Sequence, residues 1–427
     1  MNLISMVCIV MLVFLLLKVP VFISIIIPTI IYFIFTPNLT TMAIVQRYIA
    51  GVESIPLLAV PFFVFSGILM NYSGVTKRIM DFAELLTGRM YGGLAQVNVL
   101  LSTLMGGLSG SNLADTAMEA KMLVPEMKKH GFSNEFSSVV TAASSLITPM
   151  IPPGIAMILY GSVTNTSIGQ LFIAGIGPGL LMCITMMFLV SVISRKRGYE
   201  KIRNSRATGK EIRDAVKRAF FPLCLPVIII GGIRIGVFTP TEAGAISIVY
   251  AVILGLAYRE LTWQHFIESL KETIKTTASI MLIVGASSAF AWILTRERIP
   301  QTITENILIH INNKYVFLIG VNVFLLIVGM FIEGGAATIV LAPLLAPAAA
   351  AFGIDPIQFG MIVIFNLAIG CLTPPLGTVM FVTCQITGCR IDKFTREAVP
   401  FFVLFFIMLL LLTYFPIFST FFVNLLY

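Results

Sequence analysis

The sequence is poor in charge. Lys, Arg, Asp and Glu make up 11% of its 427 residues, less than half the share of soluble domains, and mean hydropathy is +0.98. A soluble globular protein is excluded. Histidine is scarce as well: His130, His265 and His310 all lie in polar segments near helix ends, so no imidazole sits inside an apolar run. The six cysteines form no CxxC pair and fall mostly in apolar stretches, where they read as small buried hydrophobes. No GxxxxGK[ST] phosphate loop occurs, which weakens an ATP-driven permease, although a separate ATPase subunit would leave no mark on this chain. The apolar run Leu3–Leu17 has no basic residue before it and no small-residue cleavage site after it, and reads as a retained first helix.

Long apolar segments are abundant. Ten candidate spans follow one another: Leu3–Leu17, Val19–Thr36, Ile55–Met70, Ser133–Gly161, Gln170–Ser194, Ala219–Phe238, Thr241–Tyr258, Thr273–Thr295, Pro356–Gly388 and Val399–Leu425. Two further stretches, Gly92–Met127 and Lys314–Phe352, are interrupted by Gly106–Asn112 and Glu333–Thr338. Their halves are short for a full crossing and read as re-entrant hairpins with tips buried in protein. The expected fold is an all-α polytopic membrane protein with about ten transmembrane helices and two re-entrant hairpins. The net charge of +8 therefore orients helices and does not imply a nucleic-acid partner.

Arg195–Arg218 holds ten Lys or Arg against three acids and is expected in the cytoplasm, as an interfacial helix beside anionic membrane lipid. Counting outwards places Lys18, Lys77, Arg78, Arg89, Lys128, Lys129, Arg259, Arg390, Lys393 and Arg396 inside too, and both termini outside. Arg296 and Arg298 dissent. A shift of 222 positions brings Ala114 onto Ala336, Thr116 onto Thr338, Pro125 onto Pro347, Gly131 onto Gly353 and Pro152-Pro153 onto Pro374-Pro375. Matching Gly and Pro at one offset indicates an internal duplication, and the orientation count makes it inverted. Inverted repeats with interrupted helices in matching places characterise secondary transporters.

Each repeat offers a hairpin tip and a proline-broken span, the latter at Ser144–Gly154 and at Leu372–Thr378. Proline frees an upstream carbonyl, and unwound turns expose oxygens able to hold Na⁺, while half-helix N-termini attract anions. Two sodium sites are expected. One draws on Ser109, Ser111 or Asn112 with Ser145 or Thr148, and the other on Gly334, Gly335 or Thr338 with Thr373 and Pro374. Asp115 is open between a helix-dipole cap and a site role, whereas Glu333, at a tip, leans towards function. Thr239-Pro240-Thr241-Glu242 reads as a capping box, and Arg234 as a snorkelling side chain.

Gly106–Pro125, Thr141–Gly161 with its IPPGIAMILYG, Thr166–Phe172, Pro178-Gly179, Ile55–Pro61, Thr239–Glu242 and Leu372–Gly377 together resemble the large membrane subunit of TRAP transporters, the tripartite ATP-independent periplasmic carriers. The resemblance covers essentially the whole chain. It implies a non-enzymatic, elevator-type carrier in the bacterial inner membrane, driven by Na⁺. It also implies a small four-helix membrane subunit, expected as a separate chain, and a soluble periplasmic binding protein that captures an organic acid. Sialic acid is the first expectation and a C4-dicarboxylate the second. Scaffold is expected at 1–91, 170–313 and 399–427, and the transport domain at 92–169 and 314–398. Substrate contacts are expected at Ser109, Ser111, Asn112, Asp115, Gly154 and Glu333. Gly154 stands where the family commonly has Ser, and Glu333 where it often has Asp. Two other classes stand beside this reading: an intramembrane serine protease, because Gly107-Leu108-Ser109-Gly110 matches a GxSG nucleophile pattern, and a channel.

Overall fold

The computed structural model describes residues 3–17, 19–37, 39–203, 208–311 and 313–427. It is helical throughout, with no strand among the described residues. The first half contains α1 (Leu3–Leu16), α2 (Val21–Phe35), α3 (Thr41–Val52), α4 (Ala59–Tyr72) and α5 (Val75–Thr87). These lead into α6 (Gly93–Ser109), α7 (Asn112–Lys129), α8 (Asn134–Ser144), α9 (Ile155–Thr164) and α10 (Ile168–Arg197). The second half contains α11 (Gly209–Arg234), α12 (Pro240–Ala257), α13 (Trp263–Arg296), α14 (Ile299–His310) and α15 (Lys314–Gly329). It continues with α16 (Gly334–Ala351), α17 (Pro356–Leu372), α18 (Thr378–Thr387), α19 (Ile391–Tyr414) and α20 (Ile417–Leu426).

The duplication spans almost the whole chain. At the same shift α2 falls on α12, α5 on α14, α6 on α15, α7 on α16, α9 on α18 and α10 on α19, to within a few residues. α8 and the 3₁₀ turn Ser145–Met150 together fall on α17. α3 and α4 both fall within the single helix α13. The difference is local: Pro56, in the 3₁₀ turn Ile55–Leu58 that separates α3 from α4, corresponds to Ala278 inside α13. Proline lacks the N–H that a continuous helix needs at that place, and alanine supplies it.

The two halves are inverted. The Asn134 amide at the start of α8 donates to the Thr387 carbonyl at the end of α18 (3.2 Å). The Tyr160 hydroxyl near the end of α9 donates to the Pro356 carbonyl at the start of α17 (3.3 Å). The two broken spans therefore run antiparallel, side by side through the middle of the molecule. Buried polar clusters repeat as well: Asn98 pairs with Thr141 and Ser144 in one half, and Asn322 with Thr413 and Asn366 in the other. One apolar core joins the hairpins and broken spans to α4, α10 and α19. A smaller one packs α1 and α2 on the far end of α13, where Phe33 stacks on Trp292 at 5.6 Å and the Arg47 guanidinium lies over the same indole.

Several expectations change. Among the described residues seven helices are long and apolar enough to cross a membrane, or eight if α8 and α9, bent by 42°, form one span. Leu3–Leu17 and Val19–Thr36 become α1 and α2, of 14 and 15 residues, which at ~1.5 Å per residue fall short of a ~30 Å hydrocarbon layer. They pack against each other as a short hairpin. α13, at 34 residues, is far longer than Thr273–Thr295. The last apolar segment is two helices, broken at Phe415-Pro416. The expected boundaries at 169 and 398 fall inside α10 and α19. Arg195–Arg218 is not one interfacial helix. It ends α10, turns at left-handed Gly198 and enters α11 through a capping box of Thr208 and Glu211. The Thr208 N–H, with Arg203 beside it, holds the Glu211 carboxyl below its ordinary range. Lys18 lies outside the described residues. The Thr239–Glu242 capping box forms as read, and Arg234 donates to the Leu426 carbonyl (3.0 Å). The six cysteines are free thiols.

Candidate functional site

Each hairpin tip ends in a side-chain cap on the half-helix that follows it, but only the first reverses on a left-handed glycine. α6 ends on Gly106-Gly107-Leu108-Ser109, and Gly110 reverses the chain in the left-handed region at φ +62. A Cβ there would lie 2.4 Å from the Pro153 carbonyl oxygen, so only glycine fits. Ser111 then caps α7, its hydroxyl accepting from the Ala114 N–H (3.4 Å). In the second half α15 ends at Gly329, and Glu333 caps α16 by accepting from the Ala336 N–H (3.0 Å). Each tip is tied to the unwound part of its broken span by one backbone bond. Ile155 N–H donates to the Gly110 carbonyl (3.3 Å), and Gly377 N–H to the Met330 carbonyl (3.1 Å). Both Pro-Pro pairs in these unwound segments carry a cis peptide bond.

Behind the first tip lies a buried polar network. Asp115 is 1% exposed. Its Oδ2 accepts from the Ser109 hydroxyl at 2.7 Å and from the Thr148 hydroxyl at 2.8 Å. One carboxylate thus pins the end of α6 and the broken span to α7. The Thr116 hydroxyl donates to Ser145 Oγ (2.6 Å) beside it. At the corresponding places in the second half stand Phe331, Ala337 and Gly370, and there backbone contact between Gly329 and Gly370 replaces the hydrogen bonds.

Between the tips is a cavity of about 340 Å³. The first turns of α7 and α16 both open onto it, and Ser109, Ser111, Asn112, Glu333, Gly334, Gly335 and Thr338 line it. Seven of the residues singled out in the sequence therefore share one space. Asp115, Ser145 and Thr148 sit behind its wall in the network above. Gly154 is the residue before α9 and is buried, off the lining; a Cβ there would meet the Pro149 carbonyl oxygen at 2.7 Å. Thr373 ends α17, with its hydroxyl on the Ile369 carbonyl (2.7 Å), and Pro374 follows it. The opposite wall was not legible in the sequence. It comes from Val64, Gly67 and Asn71 on α4 and from Glu272, Thr276 and Ser279 on α13. The signal available was the spacing of those three polar residues, which repeats at one helical face along an apolar helix.

The cavity lining contains two carboxylates and no Lys or Arg. Helix N-termini each carry about half a positive charge, so two of them aimed at one space provide for an anionic group without a basic side chain. No imidazole is paired with Ser109: its hydroxyl donates to Asp115, and His130, His265 and His310 bond backbone carbonyls near helix ends. Nothing in this arrangement supports the protease reading of the GxSG pattern.

An all-helical chain of inverted repeats, meeting at interrupted helices around a central cavity, defines a polytopic membrane protein of the transporter type. The family model described as "Tripartite ATP-independent periplasmic transporter, DctM component" matches residues 8–418. The chain belongs to that family. It is 43% identical over 401 residues to the sialic acid TRAP transporter large permease protein SiaM of Vibrio cholerae, covering 94% of this chain and 93% of that one. The sialic acid TRAP transporter permease protein SiaT of Haemophilus influenzae is 37% identical over 96% of this chain, which spans 66% of that longer relative. The C4-dicarboxylate TRAP transporter large permease protein DctM of Pseudomonas aeruginosa is 37% identical over 85% of both chains. Among solved structures, the Alcanivorax borkumensis YdaH transporter shares the fold, with a TM-score of 0.54 at 13% identity over 87% of this chain and 86% of that one.

Proposed function

We propose that the chain is the carrier subunit of a sodium-coupled uptake system for an organic acid in the bacterial inner membrane. It works with a small membrane subunit and a periplasmic binding protein. The observation that carries this reading is the cavity onto which both half-helix N-termini open. An acid group docks at the first turns of α7 and α16, and Na⁺ binds at each tip beside its broken span, held by tip carbonyls and by the hydroxyls of Ser109, Ser145, Thr148, Thr338 and Thr373. Sialic acid is the favoured substrate, because the relative named for it is 43% identical over almost the whole chain. A C4-dicarboxylate is the runner-up.

The moving block consists of the hairpins and broken spans, and α4 and α13 belong to the frame that it slides along. The cavity meets the last turns of α4, just before Lys77 and Arg78, and the half of α13 that follows Arg259. With those basic residues in the cytoplasm and both termini outside, this conformation faces inward. Proteoliposomes holding the assembled complex test the reading. Uptake should require the binding protein and an inward sodium gradient, and should show counterflow, which a channel would not. Uptake undiminished in sodium-free buffer would refute the coupling.

A further inference from the structure

Glu119 is a second acidic residue on α7, one helical turn after Asp115, and nothing in the proposed cycle uses it. It is fully buried. Oε2 accepts from the Ser102 hydroxyl of α6 at 2.6 Å, while Oε1 has no hydrogen-bond partner. Neither Asp115 nor Glu119 enters an ion pair among the described residues. The elements packed on α7 offer Glu119 no compensating cation. α6 and the turn Ser145–Met150 hold no ionisable side chain, α8 holds only Glu135 in its first turn, and α18 holds only Cys384. On α7 itself, Glu126 is paired with exposed Lys129, Lys128 lies at the far end, and Lys121 is exposed.

The duplication supplies an internal control. Leu341 stands at the place of Glu119 in α16, Phe324 at that of Ser102 and Ala337 at that of Asp115. The hairpin architecture forms with apolar residues there, so packing does not demand a carboxyl group. An ionised group with one bare oxygen in an apolar interior is costly to keep. A proton on that oxygen removes the charge. An open cavity of about 660 Å³ between α7 and α18 lies on a neighbouring face of α7, lined by Ala120, Lys121 and Val124 and not by Glu119 itself. We propose that Glu119 is a proton-binding site inside the first hairpin, so that the carrier cycle includes a proton. The transport half of this inference rests on the carrier reading; the site itself does not.

Dicyclohexylcarbodiimide adds to protonated carboxyl groups in apolar surroundings, and the adduct is read by peptide mass spectrometry on the purified full chain. Glu119 should be labelled at neutral pH, with labelling falling tenfold per pH unit once the acid is titrated. Glu119→Gln should remove that adduct. In proteoliposomes the same variant should flatten the pH profile of uptake, and Glu119→Leu, which copies Leu341, serves if the Gln variant does not fold. Absence of the adduct at neutral pH would overturn the proposal. So would protection by sodium chloride but not choline chloride, which would give the carboxylate to a metal ion instead. Because labelling needs no transport, its outcome stays separate from any failure of sodium coupling.

Discussion

Ser111 and Glu333 occupy the same place in the two halves, 222 residues apart, and each caps the half-helix that opens onto the central cavity. One cap is neutral and the other acidic. The carboxylates are thus placed differently in the two halves: Glu333 lines the cavity at its own tip, whereas Asp115 stands behind the first tip on Ser109.

Glu333→Gln keeps an acceptor for the Ala336 N–H but removes the charge. Uptake measured against sodium concentration should show a several-fold higher half-saturation value with little loss of thermal stability. Glu333→Ala should also lose the cap, costing about 1 kcal/mol in a melting experiment. An unchanged sodium curve in the Gln variant would show that the carboxylate is only a cap.

Ser109→Ala and Thr148→Val each withdraw one donor from Asp115. Each should destabilise the purified protein by about 1–3 kcal/mol, because the carboxylate stays buried. The double variant should cost something other than the sum, since both bonds end on the same oxygen. Strict additivity in thermal unfolding would contradict a shared network.

Thr373→Val removes a hydroxyl at the end of α17 while keeping the shape of the side chain. The sodium concentration for half-maximal uptake should rise, with the maximal rate less affected. A change confined to the maximal rate would place Thr373 outside the ion site.

Gly107 of α6 faces Pro226 of α11: a Cβ on Gly107 would lie 3.4 Å from the Pro226 Cβ. That spacing is close to the range a disulfide bridges. With α6 in the moving block and α11 in the frame, the pair Gly107→Cys and Pro226→Cys should arrest uptake on oxidation and release it on reduction. Mass spectrometry must confirm the bridge. Full uptake by the bridged protein, repeated at other block-to-frame pairs, would favour a fixed site with rocking halves.

Where the chain breaks, and that it is duplicated, can be read from residue order alone. Gly110, Pro152-Pro153 and Pro374-Pro375 act through their own backbones, with no distant partner needed, so their spacing could be read directly. The same locality made the Thr239–Glu242 cap legible. Tertiary structure decided what those breaks enclose. In the sequence Asp115 reads equally as a cap or a ligand, because only packing brings Thr148, thirty-three residues on, to the oxygen that Ser109 also uses. Glu272, Thr276 and Ser279 became a cavity wall only when α13 was laid beside α4 and opposite both tips. The N-terminal apolar stretches form the helices read from hydropathy, of 14 and 15 residues, the second with Pro28 inside it. Side-chain roles that depend on residues far apart in the chain are set by packing, which a single sequence records only through the elements it builds.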